Sequence, residues 1–348
     1  MPAIKELGGS TSGSEAGQVY HEFAAFCDQQ LENADNLEDF KRIKTLRDKK
    51  EAEVHDLEAM IKNHDKGREL DSLRNMRNKA RKWFELDDRE YQRLKDGRQA
   101  LLNQSLDNYL LCLRACDEYD NDALRFAALW LEYSENDAAN STVSKQIRNV
   151  GSRKFASLMT QWTSRLLDLQ NSFQAVLSDL VLRICIDHPY HGMYHIFASS
   201  KSKGAKDPVA LSRNAAANAV VSRLKSSKRT ASTWISLHNS NINYVRFASE
   251  KLEDGKMKIG SKMPLRKSPT GMKLEQDVTA NRVPPPTMKI PLRADCNYTD
   301  VPLIVKFNPE YSVASGISAP KILTAIASDG SKHKQLVSPL YSISQDEC

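Results

Sequence analysis

The sequence predicts a mainly α-helical protein, a stack of antiparallel helices that passes into a short antiparallel β-sheet near its end. Two observations carry this reading. Apolar residues recur at helical spacing from Tyr20 to about Asp254 with few breaks, and short β-like runs begin only after Val283. Consecutive helices with short connections bury their apolar stripes against one another, as a helical solenoid does. No repeat of fixed length is legible, so periodicity alone does not choose between TPR-like and HEAT-like arrays.

The first stripe, Leu37, Phe40, Ile43 and Leu46 followed by Val54, Leu57, Met60 and Ile61, lies among dense charges and describes a polar rod with one apolar face. Asn36 with Asp39 has the spacing of a capping box and predicts a helix start, while Gly67 and Gly97 read as helix boundaries. Leu101, Leu102, Leu106, Tyr109, Leu110 and Leu113, then Leu124, Phe126, Leu129, Trp130 and Leu131, are apolar on more than one side and predict the core. A polar loop is expected near Asn136 to Asn149, then one helix from Phe155 to Leu169 and another from Phe173 to Ile184. Ala210–Lys225 and Thr230–Asp254 also read as helices, whereas the Lys-, Gly-, Ser- and Pro-rich stretch Gly255–Arg282 reads as an exposed or disordered connection. Leu303–Phe307, Lys321–Ala327 and His333–Val337 are the β-like runs, the last two joined by the turn Ser328-Asp329-Gly330-Ser331.

Composition bounds the function. Met1 to Gly17 is polar and Gly/Ser-rich, and no apolar run approaches the ~20 residues of a membrane span, which predicts a soluble intracellular protein with no membrane partner. Cys27, Cys112, Cys116, Cys185, Cys296 and Cys348 are scattered as reduced structural thiols are. The net charge of +6 is local: residues 200–293 hold 19 Lys/Arg against 6 Asp/Glu.

Four constellations could carry chemistry. His188, His191 and His195 could meet at one zinc, although helix termination at Pro189 with packed histidines accounts for them better. Cys112 and Cys116 lie one helical turn apart without further ligands, and read as buried thiols. Lys256, Lys258, Lys262, Arg266 and Lys267 could contact phosphates, but with no interleaved aromatics a solvated linker is the better reading. Val313 to Pro320, small residues between β-like runs, could approach a phosphate, yet one glycine makes neither a Walker loop nor GxGxxG.

Taken in order, several segments resemble the ATM-like phosphatidylinositol-3-kinase-related protein kinases and their fungal telomere-maintenance counterpart. Phe23–Gln30, Glu85–Asp87 and Asn108–Leu113 are similar to the late FAT region. Leu124–Phe126, Leu129–Glu132 and Asp187–His191 are the more diagnostic pieces. Pro286–Ile290 resembles the entry into the kinase domain, and Val313–Ile322 its phosphate loop, with Ser315 in place of the first of two adjacent glycines. Ser328–Gly330 and Gln335–Val337 resemble the strand leading to the nucleotide-binding lysine, where this chain has Ser338.

The resemblance implies a TPR/HEAT-like FAT solenoid followed by the first strands of a kinase N-lobe. It implies a disordered segment 1–19, FAT helices over 20–200, a helical and basic linker over 201–306, and an incomplete catalytic domain over 307–348. It also implies an ATP-binding glycine-rich loop at Val313, Ala314, Ser315, Gly316, Ile317, Ser318 and Ala319. Such kinases transfer phosphate from ATP, with Mg2+ or Mn2+, to Ser or Thr followed by Gln. They do so in DNA-damage signalling and telomere maintenance in the nucleus, as homodimers recruited to DNA ends by a break-sensing complex.

Residues 307–348 leave 42 positions where a catalytic domain needs roughly 250, and no Asp-Phe-Gly occurs. The expectation is a polypeptide without kinase activity, with no catalytic or metal-binding residue assigned, and with poorly ordered, aggregation-prone strands. The loss of likeness at Ser338 points to a missed splice or frameshift. A non-catalytic helical scaffold and a nucleic-acid-binding module built on residues 200–293 are the rival readings.

Overall fold

The computed structural model describes residues 13–63, 67–201, 207–250, 260–315 and 319–338. The chain forms two compact units, Met1–Val150 and Gly151–Cys348. Among the described residues are twelve α-helices and one five-stranded sheet, the mainly α architecture with a terminal β element that the sequence predicts.

The first unit is organised by α1 (Ser14–Glu32), α2 (Ala34–Lys62) and α3 (Arg68–Ala115). At 48 residues α3 runs about 72 Å, at ~1.5 Å per residue. Along its first half Leu70, Leu73, Arg77, Ala80, Phe84, Asp87, Tyr91, Leu94 and Arg98 alternate steps of three and four, the spacing of an antiparallel coiled-coil seam, and α2 packs along it. Phe40 stacks on Tyr91 at 5.4 Å, and Arg47 reaches the rings of Phe84 (5.5 Å) and Tyr91 (5.7 Å) while bonding Asp88. The second half of α3 buries Leu102, Leu106, Tyr109 and Leu113, with α1 packed against it. Gly17 permits one close approach: a Cβ there would lie 2.2 Å from Cys116 Sγ.

Three boundaries differ from the sequence expectation. Asn33, not Asn36, caps α2, its side chain accepting the Asn36 amide at 3.1 Å. Gly97 lies inside α3, where the seam on either side keeps the helix continuous. The stretch expected as a polar loop is the helix α5 (Asp137–Gln146) with a 3-10 turn (Ile147–Asn149). Asn136 caps α5 by accepting the Ala139 amide at 2.9 Å, and Asn140 accepts the Trp130 indole N–H at 2.9 Å from α4 (Asp122–Glu132). Polar residues here satisfy buried donors, so polarity was a poor guide to exposure.

The second unit begins with two short helices, α6 (Arg153–Ala156) and α7 (Met159–Arg165), where the sequence predicts one. Buried Gln174 explains the early end: its Oε1 accepts from Leu167 N–H and its Nε2 donates to Arg165 O, both at 2.9 Å. Next come α8 (Ser172–Asp187), α9 (Pro189–Ser200), α10 (Pro208–Ser226) and α11 (Ala231–Ser249). Gly192 lets α9 approach α8, since a Cβ would stand 3.0 Å from the Cys185 Cα.

The expected basic connection is folded wherever it is described. It forms β1 (Lys262–Pro264), a 3-10 turn (Leu265–Lys267) and α12 (Pro269–Asn281). Ser268 caps α12 by accepting from Gly271 N–H at 2.9 Å, Pro269 opens it, and Leu265, Leu274 and Val278 are buried. Lys256 and Lys258 lie outside the described residues.

Four further strands complete the sheet: β2 (Ile304–Phe307), β3 (Glu310–Val313), β4 (Lys321–Ala327) and β5 (Lys332–Val337). β4 is central, pairing antiparallel with β2, β3 and β5, while β1 pairs with β3. Gly330, at φ 82°, makes the β4–β5 turn as the Asp-Gly sequence predicts. The strands are therefore paired, and helices cover them: Tyr244 and Phe247 of α11 meet Phe307 and Tyr311 edge-on, and Glu275 of α12 accepts the Phe307 amide. β1 joins this sheet from upstream at the β3 edge. No described helix is long and apolar enough to cross a membrane.

Candidate functional site

The β3–β4 connection is the candidate site, and its geometry follows from strand register. Val313 of β3 faces Lys321 of β4, and Lys321 faces Val337 of β5 on its other side. Three adjacent strands thus align one residue each, and Ser338 follows directly after the third. Inside the Val313–Lys321 pair, Ala314 N–H donates to Pro320 O at 2.7 Å, while Gly260 N–H binds Val313 O at 3.0 Å from the β1 side. Val313 is buried, Ser315 is exposed, and Ala319 takes φ 43°, a left-handed conformation that a residue with a Cβ enters only at a cost. Gly316, Ile317 and Ser318, the rest of the predicted loop, lie outside the described residues.

A residue that sequence reasoning passed over stands at the foot of the loop. Lys321 is 1% exposed, and its ammonium donates to backbone carbonyls at the end of α11. Burial lowers its pKa, with Glu250 acting in the opposite sense. One signal was available: in Lys321-Ile-Leu-Thr-Ala-Ile-Ala327 the period of two puts this lysine on the same face as Leu323, Ala325 and Ala327.

The histidines are engaged singly. Ser152 Oγ donates to Asp187 Oδ2 at 2.8 Å, so its 3.1 Å contact with His188 Nε2 is one in which the ring N–H donates. His188 Nδ1 is then the acceptor for the Tyr298 hydroxyl at 2.6 Å. Serine, histidine and aspartate meet here, yet no base receives the serine proton in the way a nucleophile requires. The set is a clamp: Tyr298 and Ile290, whose carbonyl His191 Nε2 contacts at 2.8 Å, belong to the 283–303 segment that leads into β2. Burial holds His188 down to about 4. His195 is likewise lowered by burial. Cys112 is buried and its thiol is pushed far up by burial, with Asp122 adding to the shift, so it is a core thiol.

The described residues supply the stem of the β3–β4 loop. The Lys321 ammonium is committed to α11, and among the described residues no group of three or more His, Cys, Asp or Glu side chains could hold a metal.

A helical array leading into such a sheet is shared with serine/threonine protein kinases, and that likeness defines the class. Residues 138–241 match the HEAT repeats of the serine/threonine-protein kinase ATR-like family. The chain is homologous over nearly its whole length to the fungal, ATM-like Tel1 kinases. It is 57% identical over 336 residues to the serine/threonine-protein kinase tel1 of Aspergillus oryzae, covering 97% of this chain and 11% of that protein. Schizosaccharomyces pombe tel1 is 30% identical over 327 residues, covering 94% of this chain and 12% of that protein.

Among solved structures, the FAT and kinase domain of CtTel1 matches with TM-score 0.85 and 45% identity, covering 96% of this chain and 22% of that one. The complete CtTel1 dimer with C2 symmetry matches with the same score and identity over 97% of this chain and 12% of that one. The fold is therefore the FAT helices followed by the start of a kinase N-lobe. The chain spans only about a ninth of the curated relatives' length, 11% for the Aspergillus oryzae protein.

Proposed function

We propose that the chain is part of the FAT region (20–200), its linker (201–306) and the opening of the catalytic domain (307–348) of an ATM-like kinase. That kinase transfers phosphate from ATP, with Mg2+ or Mn2+, to Ser or Thr followed by Gln. Its setting is DNA-damage signalling and telomere maintenance in the nucleus, with recruitment to DNA ends by a break-sensing complex. Its assembly is a homodimer, for which the CtTel1 dimer is the support.

One observation carries the reading. Val313, Lys321 and Val337 stand side by side on three strands, so a nucleotide-binding group following Val337 would emerge beside the stem of the phosphate loop. Val313, Ala314, Ser315, Gly316, Ile317, Ser318 and Ala319 form that loop in this reading. Position 338 is Ser and no Asp-Phe-Gly occurs, so the 348-residue polypeptide is proposed to lack phosphotransferase activity itself.

A radiolabelled-phosphate assay on a Ser-Gln peptide tests both statements. A full-length fungal relative is expected to label the peptide in an ATP- and metal-dependent way, and to lose that labelling when its loop is replaced. This chain is expected to give no label above a no-enzyme control. Incorporation by this chain would refute its inactivity, and an unaffected loop variant would refute the loop assignment.

A further inference from the structure

β4 begins with a charge at a position whose neighbours on the same face are apolar. The three ammonium protons of Lys321 face Phe247 O, Glu250 O at 2.8 Å and, at the limit of bonding, Ala248 O at 3.5 Å. Phe247 and Ala248 belong to the last turn of α11 and Glu250 is its C-cap, whose amide also donates to Phe247 O at 3.4 Å; the ammonium thus sits at the negative end of the helix dipole. The Phe247 ring lies 4.9 Å from the ammonium.

The Glu250 side chain points the other way. Its Oε2 accepts from Ser268 Oγ and, at 2.7 Å, from Thr270 Oγ1, at the N-terminus of α12. One lysine therefore joins the first residue of β4 to the end of α11, and Glu250 continues the link to α12. An apolar side chain would fill this buried place without the cost of desolvating a charge. What it would not do is hold the start of a strand to a helix end by directed bonds.

The feature fixed by those bonds is the loop stem. Lys321 is the residue that closes the loop against Val313, with the Ala314–Pro320 hydrogen bond just inside and the strained Ala319 two residues before it. We propose that Lys321 is a positioning residue for the phosphate loop, passing the position of the last turn of α11 to the stems Val313–Ser315 and Ala319–Pro320. The proposal rests on the reading of this loop as nucleotide-binding, and it adds a physical path by which the helical region sets loop geometry.

Hydrogen exchange on the full 348-residue chain reads the coupling without nucleotide. Lys321→Met is expected to raise exchange at Ala314 by roughly tenfold while α8 amides stay at wild-type rates, and Lys321→Arg to restore most of the protection. Should the Met variant fail to fold, Lys321→Gln, which keeps two donors, is read by the same criteria. Unchanged exchange at Ala314, or a rise shared equally by α8, overturns the proposal.

In a full-length relative with lysine at the aligned position, Lys→Met is expected to raise KM for ATP by roughly tenfold with kcat within about twofold, and Arg to reverse it. Raised Ala314 exchange with an unchanged KM would mean that the coupling holds and the phosphate-loop reading has failed. Unchanged exchange would mean that the coupling itself is absent.

Discussion

The helix α2 buries none of its 29 residues, whereas α11 buries seven of its 19. Both are regular helices, but they solve different problems. α2 packs mainly along one helix, and the two-stranded seam leaves every α2 residue at least partly exposed, although Leu70 and Ala80 of α3 are buried; rings and guanidinium groups such as Phe40, Tyr91 and Arg47 fill it. α11 lies between helices and a sheet, contacting α9, α10, α12 and β5, and its aromatic residues meet strand residues edge-on. Local stability should follow enclosure rather than helix length.

The comparison breaks most visibly if a core residue of α11 proves dispensable. Phe247 is fully buried against Tyr311 and the Lys321 ammonium, so Phe247→Ala is expected to cost about 3–5 kcal/mol in chemical denaturation of the second unit. A loss below about 1 kcal/mol would show that the α11–sheet contact is not cooperative.

A second effect belongs to acid. His188 is held down to about 4 by burial, against an ordinary value of 6.5. Between these values the unfolded chain binds the extra proton and the folded chain does not, so stability is complete above 6.5 and is lost as pH falls towards 4. The loss from this residue is about 3 kcal/mol, and His188→Gln should flatten that part of the profile. An unaltered acid limb in the variant would remove His188 from the account.

A third, smaller change sharpens the packing argument within the second unit. Gly192→Ala sets a methyl 2.9 Å from Cys185 Sγ and 3.0 Å from its Cα, and should cost about 1–3 kcal/mol by forcing α8 and α9 apart. Equal melting temperatures for variant and wild type would show that the helices can separate freely.

These contrasts also explain what could be read in advance. Long apolar periods such as Leu102 to Leu113 and Phe173 to Ile184 are self-announcing, and so is the Asp329-Gly330 turn. The misses are elements whose ordering comes from tertiary partners. α5 carries few large apolar residues and is fixed by Asn136 and Asn140; α12 has a clear cap in Ser268-Pro269, but basic surroundings disguised Leu274 and Val278. β1 and β3, at three and four residues, are too short to show alternation. At the candidate site the loop was singled out only by resemblance, and Lys321 was not singled out, because a lysine is ordinarily taken as exposed unless its strand face is counted.

The smallest expected effect tests the other side of the comparison. Phe40 is half exposed on α2, stacks on Tyr91 and lies 5.5 Å from the Arg98 guanidinium, contacts that solvent already shares. Phe40→Ala should therefore cost only about 0.5–1.5 kcal/mol, the range of an aromatic pair, and should show as faster exchange confined to α2 and the first half of α3. Leu102 and Leu106, enclosed in the second half of α3, should keep their protection. If their exchange rose in step, α3 would be opening as one cooperative rod, and enclosure would no longer rank the stability of its two halves.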